Sequence, residues 1–142
     1  MMTIDRAVEI AVAAHKGQVD KSGRPYILHV LQVMMAGKTD EERIVGVLHD
    51  VVEDTDWTFE MLRQEGLAES LVEALKCVTK LSPDENYEAF TERVKQNPLA
   101  IRVKINDLRS NMDLTRLSQV KEKDVERFNR YVKAYNELIE LI

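Results

Sequence analysis

Val47-Leu48-His49-Asp50-Val51-Val52-Glu53-Asp54-Thr55 sets a histidine and an aspartate side by side in an apolar run, with a second acidic pair one helical turn later. Residues 42–52 carry Ile44, Val45, Val47, Leu48, Val51 and Val52. These cover most of the circumference of a helix, which predicts a buried helix through the stretch. A buried carboxylate is costly unless it is paired, hydrogen-bonded or bound to a metal. Asp50 therefore requires a partner. Adjacent helical residues point about 100° apart, so His49 and Asp50 can converge on one atom lying between helices. Glu53 follows His49 at i+4 and Asp54 follows Asp50 at i+4, which predicts that each returns to its partner's face.

The same kind of misplaced polar residue occurs in two other apolar segments. His29 is embedded in residues 26–36 among Ile27, Leu28, Val30, Leu31, Val33, Met34 and Met35. Asp107 lies in residues 99–114 among Ala100, Ile101, Val103, Ile105 and Leu108, and shares a helix face with Lys104 and Asn111. Asn97-Pro98 reads as the N-cap and first position of that helix. A first helix over residues 5–16 ends at Gly17, with His15 on its apolar stripe as a core histidine. Residues 18–25 form a polar loop. Thr39-Asp40 caps the central helix and Thr58 a short one. An amphipathic helix follows over 71–80. Ser82 with Glu85 reads as a capping box opening a polar helix that runs to residue 95. The final helix, 123–141, repeats Val125, Phe128, Val132, Tyr135, Ile139 and Ile142 as a seam. That seam fits packing on the bundle first and a homodimer contact second. No period-two strand is present. The expectation is an all-α single-domain bundle of about eight helices spanning residues 1–142.

Length and composition agree with one globular domain: 142 residues, 44% hydrophobic, 32% charged. The formal net charge of −5 argues against nucleic acid or an anionic membrane surface as partner. The single cysteine, Cys77, cannot form an internal disulfide and falls on an apolar stripe, so it reads as core in a reducing compartment. No charged-then-apolar leader and no apolar run near the ~20 residues that span a bilayer is present. The expected location is the cytoplasm.

His29, His49, Asp50 and Asp107 together offer two imidazoles and two carboxylates. That donor set suits a borderline divalent metal such as manganese, iron or zinc. The chemistry implied is hydrolysis of a phosphate ester or anhydride. A His-Asp pair by itself also fits a hydrogen-bonded core pair; the three separate apolar contexts favour the metal.

Six segments carry a resemblance: Ala14-His15-Lys16-Gly17-Gln18, Lys21-Ser22-Gly23, Pro25-Tyr26-Ile27-Leu28-His29, Leu48 through Thr55, Val78-Thr79-Lys80-Leu81, and Asp107 with Asn111-Met112. In this order they resemble the hydrolase domain of RelA/SpoT-type proteins, within the HD phosphohydrolase superfamily. The resemblance implies removal of pyrophosphate from the 3′ position of ppGpp and pppGpp. It implies His29, His49, Asp50 and Asp107 as metal ligands, with manganese the usual ion. It further implies that Glu53 and Asp54 handle the attacking water, and that Lys21, Ser22 and Asn111 contact the nucleotide substrate. His15 matches a position that is not a ligand.

Two positions depart from the family pattern. Asp20 stands where an arginine commonly lies against the base, and Ser110 stands where the last motif usually has histidine. Both are expected to touch the nucleotide side and leave the metal centre intact. Hydrolysis of another nucleotide or small phosphoester is therefore an alternative, and a non-catalytic nucleotide sensor a second one. The chain ends at Ile142 without room for a synthetase domain, so it resembles the small stand-alone alarmone hydrolases.

Overall fold

Short side-chain caps start most of the helices. In the computed structural model, which describes residues 1–142, Thr3 accepts from the Arg6 N–H at 3.1 Å to open α1 (Ile4–His15). Thr39 does the same from Glu42 for α3 (Asp40–Leu48), and Thr58 from Met61 for α5 (Phe59–Gln64). Asn86 opens α7 (Tyr87–Val94) and Asn97, followed by Pro98, opens α8 (Pro98–Asn111). The remaining helices are α2 (Ile27–Ala36), α4 (Val51–Asp54), α6 (Glu69–Cys77) and α9 (Glu122–Ile139), with a 3-10 turn at Leu114–Arg116. Each capping oxygen satisfies an N–H that the helix itself leaves unpaired.

The architecture is all-helical, with nine α-helices around one core. The count exceeds the expected eight because the helix through residues 42–52 is two helices. It breaks at His49 and Asp50, where Asp50 has φ −105° and ψ 0°. The His49 ring causes the tightening: its Nδ1 lies 2.7 Å from the Gly46 carbonyl, to which the His49 backbone N–H also points. Two donors on one i−3 oxygen shorten the last turn and end the i−4 ladder.

Two further expectations fail locally. Ser82 and Glu85 do not cap α7; Asn86 does. The Glu85 carboxylate is taken instead by the Arg93 guanidinium at 2.6 and 2.8 Å, a bidentate contact stronger than a neutral cap bond. The seam on α9 is buried only in part, at Tyr135 and Ile139. Val125 and Val132 are about half exposed, while Ala134 and Leu138 are buried and Tyr131 and Tyr135 pack against the core. The buried stripe follows the face that meets α8.

α3 is the central element. It packs against α1, α2, α6 and α8, and Val45, Val47 and Leu48 are completely buried. Its approach to α2 depends on Gly46: a Cβ there would lie 3.3 Å from Val33 Cγ1 and 3.5 Å from the Met34 backbone. Without a side chain the two helices close up, which brings His29 on α2 towards His49 at the end of α3. Gly17, at φ +86°, terminates α1 and turns the chain into the 18–25 loop. No helix is long and apolar enough to cross a membrane.

Candidate active site

His29, His49, Asp50 and Asp107 arrive from α2, the α3–α4 break and α8 at one place. Three of the four residues are at least 95% buried, and the Asp50 side chain keeps a small exposed edge. His29 Nε2 lies 2.9 Å from Asp107 Oδ1 and 3.9 Å from Asp50 Oδ2. His49 Nε2 lies 2.9 Å from Asp50 Oδ2 and 3.2 Å from Asp107 Oδ1. One ligand atom from each of His29, His49 and Asp50 falls within 4.8 Å of the others.

The outer nitrogens fix how these rings are used. The Gly46 carbonyl can only accept, so His49 Nδ1 is the donor in their 2.7 Å contact. Ser110 Oγ donates to Gln32 Oε1 at 2.7 Å and lies 2.9 Å from His29 Nδ1, which donates to it. Both Nε2 lone pairs therefore face two carboxylates. Two lone pairs and two anions confined in a buried space call for a cation, either a proton or a metal ion. This is the arrangement a divalent metal fits. In the protein alone the proton serves: burial opposes charge on His49, but Asp50 and then Asp107 override it and hold its pKa well above the ordinary value. Asp107 is held well below the usual carboxylate range, Lys104 and His49 outweighing its burial. Asp50 is lowered in the same way, against its burial, chiefly by His49.

Two residues outside the expected set complete the surround. The Tyr26 hydroxyl donates to Asp50 Oδ2. Burial and the Asp50 charge push the phenol far up, so it stays a neutral donor. Lys104 Nζ lies 2.9 Å from Asp107 Oδ2. Tyr26 stands three residues before His29 in an apolar helix start, and that spacing was the available signal. Lys104 was visible in the polar row of α8, though not its direction. His15 is core as expected: 2% exposed, stacked on Tyr26 at 5.1 Å and bonded to Gln18 at 2.8 Å.

The centre opens into a cleft of about 340 Å³ whose walls include His29, Lys21, Ser22, Asn111, Arg127 and Tyr131. The three expected substrate contacts thus share one cavity with a metal-ligand candidate. Asn111 Nδ2 also donates to Asp107 Oδ1 at 3.1 Å. Burial and the neighbouring cations, Arg127 foremost, lower the Lys21 pKa.

Of the two departures, Asp20 lines the cleft as expected and Ser110 does not. Ser110 is 8% exposed and lies behind His29, so it touches the metal-ligand side and not the nucleotide side. Asp20 does not project a bare charge into the cleft. Its Oδ1 accepts the N–H groups of Ser22 and Arg24 at 2.8 and 3.0 Å, and its Oδ2 pairs with Arg116 Nη2 at 3.2 Å. These bonds and the Arg116 ion pair lower its pKa against partial burial. Ser22 Oγ in turn donates to the Arg116 carbonyl. Asp20 and Ser22 clip the 18–25 loop to the Leu114–Arg116 turn.

Glu53 and Asp54 occupy α4, both exposed. Because the helix breaks before it, the i+4 relation to His49 and Asp50 does not run through continuous helix. Glu53 Oε1 accepts the Lys80 N–H at 2.8 Å, which joins two of the quoted motifs. Asp54 stays closer to the centre electrostatically: although its side chain is exposed, the protein around it partly screens it from water, and this with the charges of Asp50 and Glu53 pushes its carboxyl up to about 6, with His49 opposing.

No protein-family profile matches the chain. A guanosine-3′,5′-bis(diphosphate) 3′-pyrophosphohydrolase of Aquifex aeolicus is 33% identical over 120 residues, covering 77% of this chain. A bifunctional (p)ppGpp synthase/hydrolase of Escherichia coli is 34% identical over 121 residues, covering 75% of it. This chain spans 17% of the length of each. Among solved structures, that of a metazoan SpoT ortholog described as hydrolysing ppGpp superposes with a TM-score of 0.80 at 21% identity, covering 96% of this chain and 84% of that one. The helical arrangement is therefore the one found in that ortholog.

Proposed function

We propose, from the premise that this chain belongs to the RelA/SpoT-like family of HD-type proteins, that it is a metal-dependent phosphohydrolase releasing pyrophosphate from the 3′ position of guanosine 3′,5′-bis(diphosphate). The observation that carries the reading is the convergence of His29 Nε2, His49 Nε2 and Asp50 Oδ2 within 4.8 Å, with Asp107 Oδ1 beside both imidazoles, in a cleft that also holds Lys21, Ser22 and Asn111.

His29, His49, Asp50 and Asp107 would hold one divalent ion, manganese ahead of iron or zinc. Bound there, such an ion supplies Lewis acidity to a phosphoryl oxygen and to the attacking water. Lys21 and Asn111 bind and orient the phosphorylated nucleotide, and the Asp20–Arg116 clip fixes the loop that presents Lys21. Glu53 takes the proton of the attacking water at its carboxylate, and Asp54 orients that water. General acid–base help of this kind is worth about 10²–10⁴ in rate.

The test is an assay of the purified chain with manganese against a nucleotide panel that includes ppGpp. The expected result is pyrophosphate release from ppGpp, with Asp107→Ala losing bound manganese and turnover together. Turnover of another phosphoester alone would replace the substrate. Binding without turnover of any would make the chain a sensor. An Asp107→Ala protein that keeps stoichiometric manganese at parental affinity would overturn the ligand set.

A further inference from the structure

The chemistry above leaves the buried charge of Lys104 without a role. Lys104 is 9% exposed, and its Nζ lies 2.9 Å from Asp107 Oδ2, on the oxygen opposite the one that faces the two imidazoles. Two aromatic rings flank it: Nζ sits 5.0 Å from the centre of the Phe90 ring and 5.9 Å from that of Tyr87. Burying a lysine is expensive. A neutral side chain of similar length would fill the same space between α7 and α8. The ion pair and the two ring faces offset the cost only while Asp107 is ionised.

We propose that Lys104 is a built-in counter-cation for the metal centre: a positioning residue that reserves Asp107 Oδ1 for the ion, keeps the metal-free chain folded, and holds metal affinity below what the same ligands would reach without it. This rests on the reading of His29, His49, Asp50 and Asp107 as metal ligands.

Asp50 and Asp107 bring two negative charges into a buried space, and Lys104 returns one positive charge to it. In the metal-free chain Asp107 is thus never an unpaired buried anion. A divalent ion held through Asp107 Oδ1 would lie close to Lys104, and the two cations would repel each other in a medium of low effective dielectric. The same contact denies Oδ2 to the ion. Lys104 therefore stabilises the empty centre more than the filled one, and linkage requires that this difference appear in metal affinity.

The experiment compares the parent with Lys104→Met, which removes both charge and hydrogen bond, and Lys104→Gln, which keeps a donor for Oδ2 and removes only the charge. Manganese affinity is measured by calorimetry, and melting temperature is measured for chelated and manganese-loaded protein. Both variants are expected to bind manganese at least about tenfold more tightly than the parent. Their chelated forms should melt lower, and their gain in Tm on loading should be larger. A residue that merely fills space would lower both melting temperatures equally and leave affinity unchanged, which overturns the proposal. Weaker binding in Lys104→Met with parental binding in Lys104→Gln also overturns it, because the hydrogen bond and not the charge would then matter. If Lys104→Met does not fold without metal, Lys104→Gln carries the comparison. A parent that binds no manganese defeats the metal reading itself, a result separate from either failure.

Discussion

Ser110 Oγ stands between His29 Nδ1 and Gln32 Oε1, at 2.9 and 2.7 Å. Replacing it with alanine leaves the buried His29 Nδ1 donor without a partner, which costs about 1–3 kcal/mol, while the exposed Gln32 turns to water. It also frees the His29 ring to turn. Outer hydrogen bonds of this kind typically change metal affinity by about 10–100-fold. Ser110→Ala is expected to weaken manganese binding within that range, read by calorimetry on the folded protein; parental affinity would mean that the His29 ring is held by packing alone. At Asp20 the structure reverses the sign of a sequence-based expectation. An arginine there would be expected to attract an anionic nucleotide. Yet Asp20 pairs with Arg116 and accepts two backbone N–H groups of its own loop. Asp20→Arg sets two guanidinium groups against each other and unclips the loop bearing Lys21. The expected outcome in steady-state kinetics with ppGpp is a higher KM. A lower KM would show that the local attraction outweighs the lost clip.

α4, only four residues long, orients the acidic pair. Its start is set by the break at His49–Asp50, and its far side is tied by Glu53 Oε1 to the Lys80 N–H. Gln18 Nε2 donates to the Asp54 carbonyl at 3.1 Å and so links α4 to the end of α1. The element is thus held at both ends without either carboxylate serving among the buried donors. Glu53→Gln can keep the oxygen that accepts from Lys80, so the fold and metal content should survive. A fall in kcat of at least about 10², with KM little changed, is expected because the lost interaction belongs to the transition state. Metal content and kinetics on one sample decide it. Near-parental kcat with full manganese removes Glu53 from the proton path, and loss of manganese makes it a ligand.

At the scale of the molecule, the buried centre lies where α2, α3 and α8 meet, so its occupancy is linked to folding. Chelation of manganese-loaded protein is expected to lower Tm by about 5–10 °C for a site held well above its dissociation constant. The pH dependence follows from the two strongest perturbations. His49 is raised by Asp50 and Asp107 against burial, so in metal-free protein its contribution to stability is full below about 6.5 and is lost as pH rises through the raised pKa. Asp107 is lowered by Lys104 and His49 against burial, so its contribution is full above about 3.9 and is lost as pH falls through the lowered pKa. Metal-free protein should therefore be most stable in mild acid. The gain in Tm on adding manganese should be larger at pH 8.5 than at pH 6, since the ion competes with a proton that is held less firmly as pH rises. An equal gain at both would mean that His49 Nε2 is not shared between proton and metal.

The all-helical class, the capped starts at Thr39, Thr58 and Asn97, and the four polar residues set among apolar neighbours were legible in the sequence. Each depends on local spacing or on the cost of placing a charge among apolar neighbours, and both are written in the order of residues. The His49–Asp50 break was not legible, because it arises when one imidazole takes a carbonyl three residues back, a choice between two folded conformations of similar apolar pattern. The side of α9 that is buried was hidden for a related reason: two apolar stripes compete on that helix, and only its docking on α8 selects one. The role of Ser110 is tertiary, and those of Asp20 and Lys104 join a local contact, to their own loop and to Asp107 three residues on, with a tertiary one. Their partners His29, Arg116 and the rings of α7 lie far away in sequence or across a helix interface, and a side chain's charge is read by what folding sets against it. Sequence alone established which residues cannot be buried without a partner; the fold decided which partner each one has.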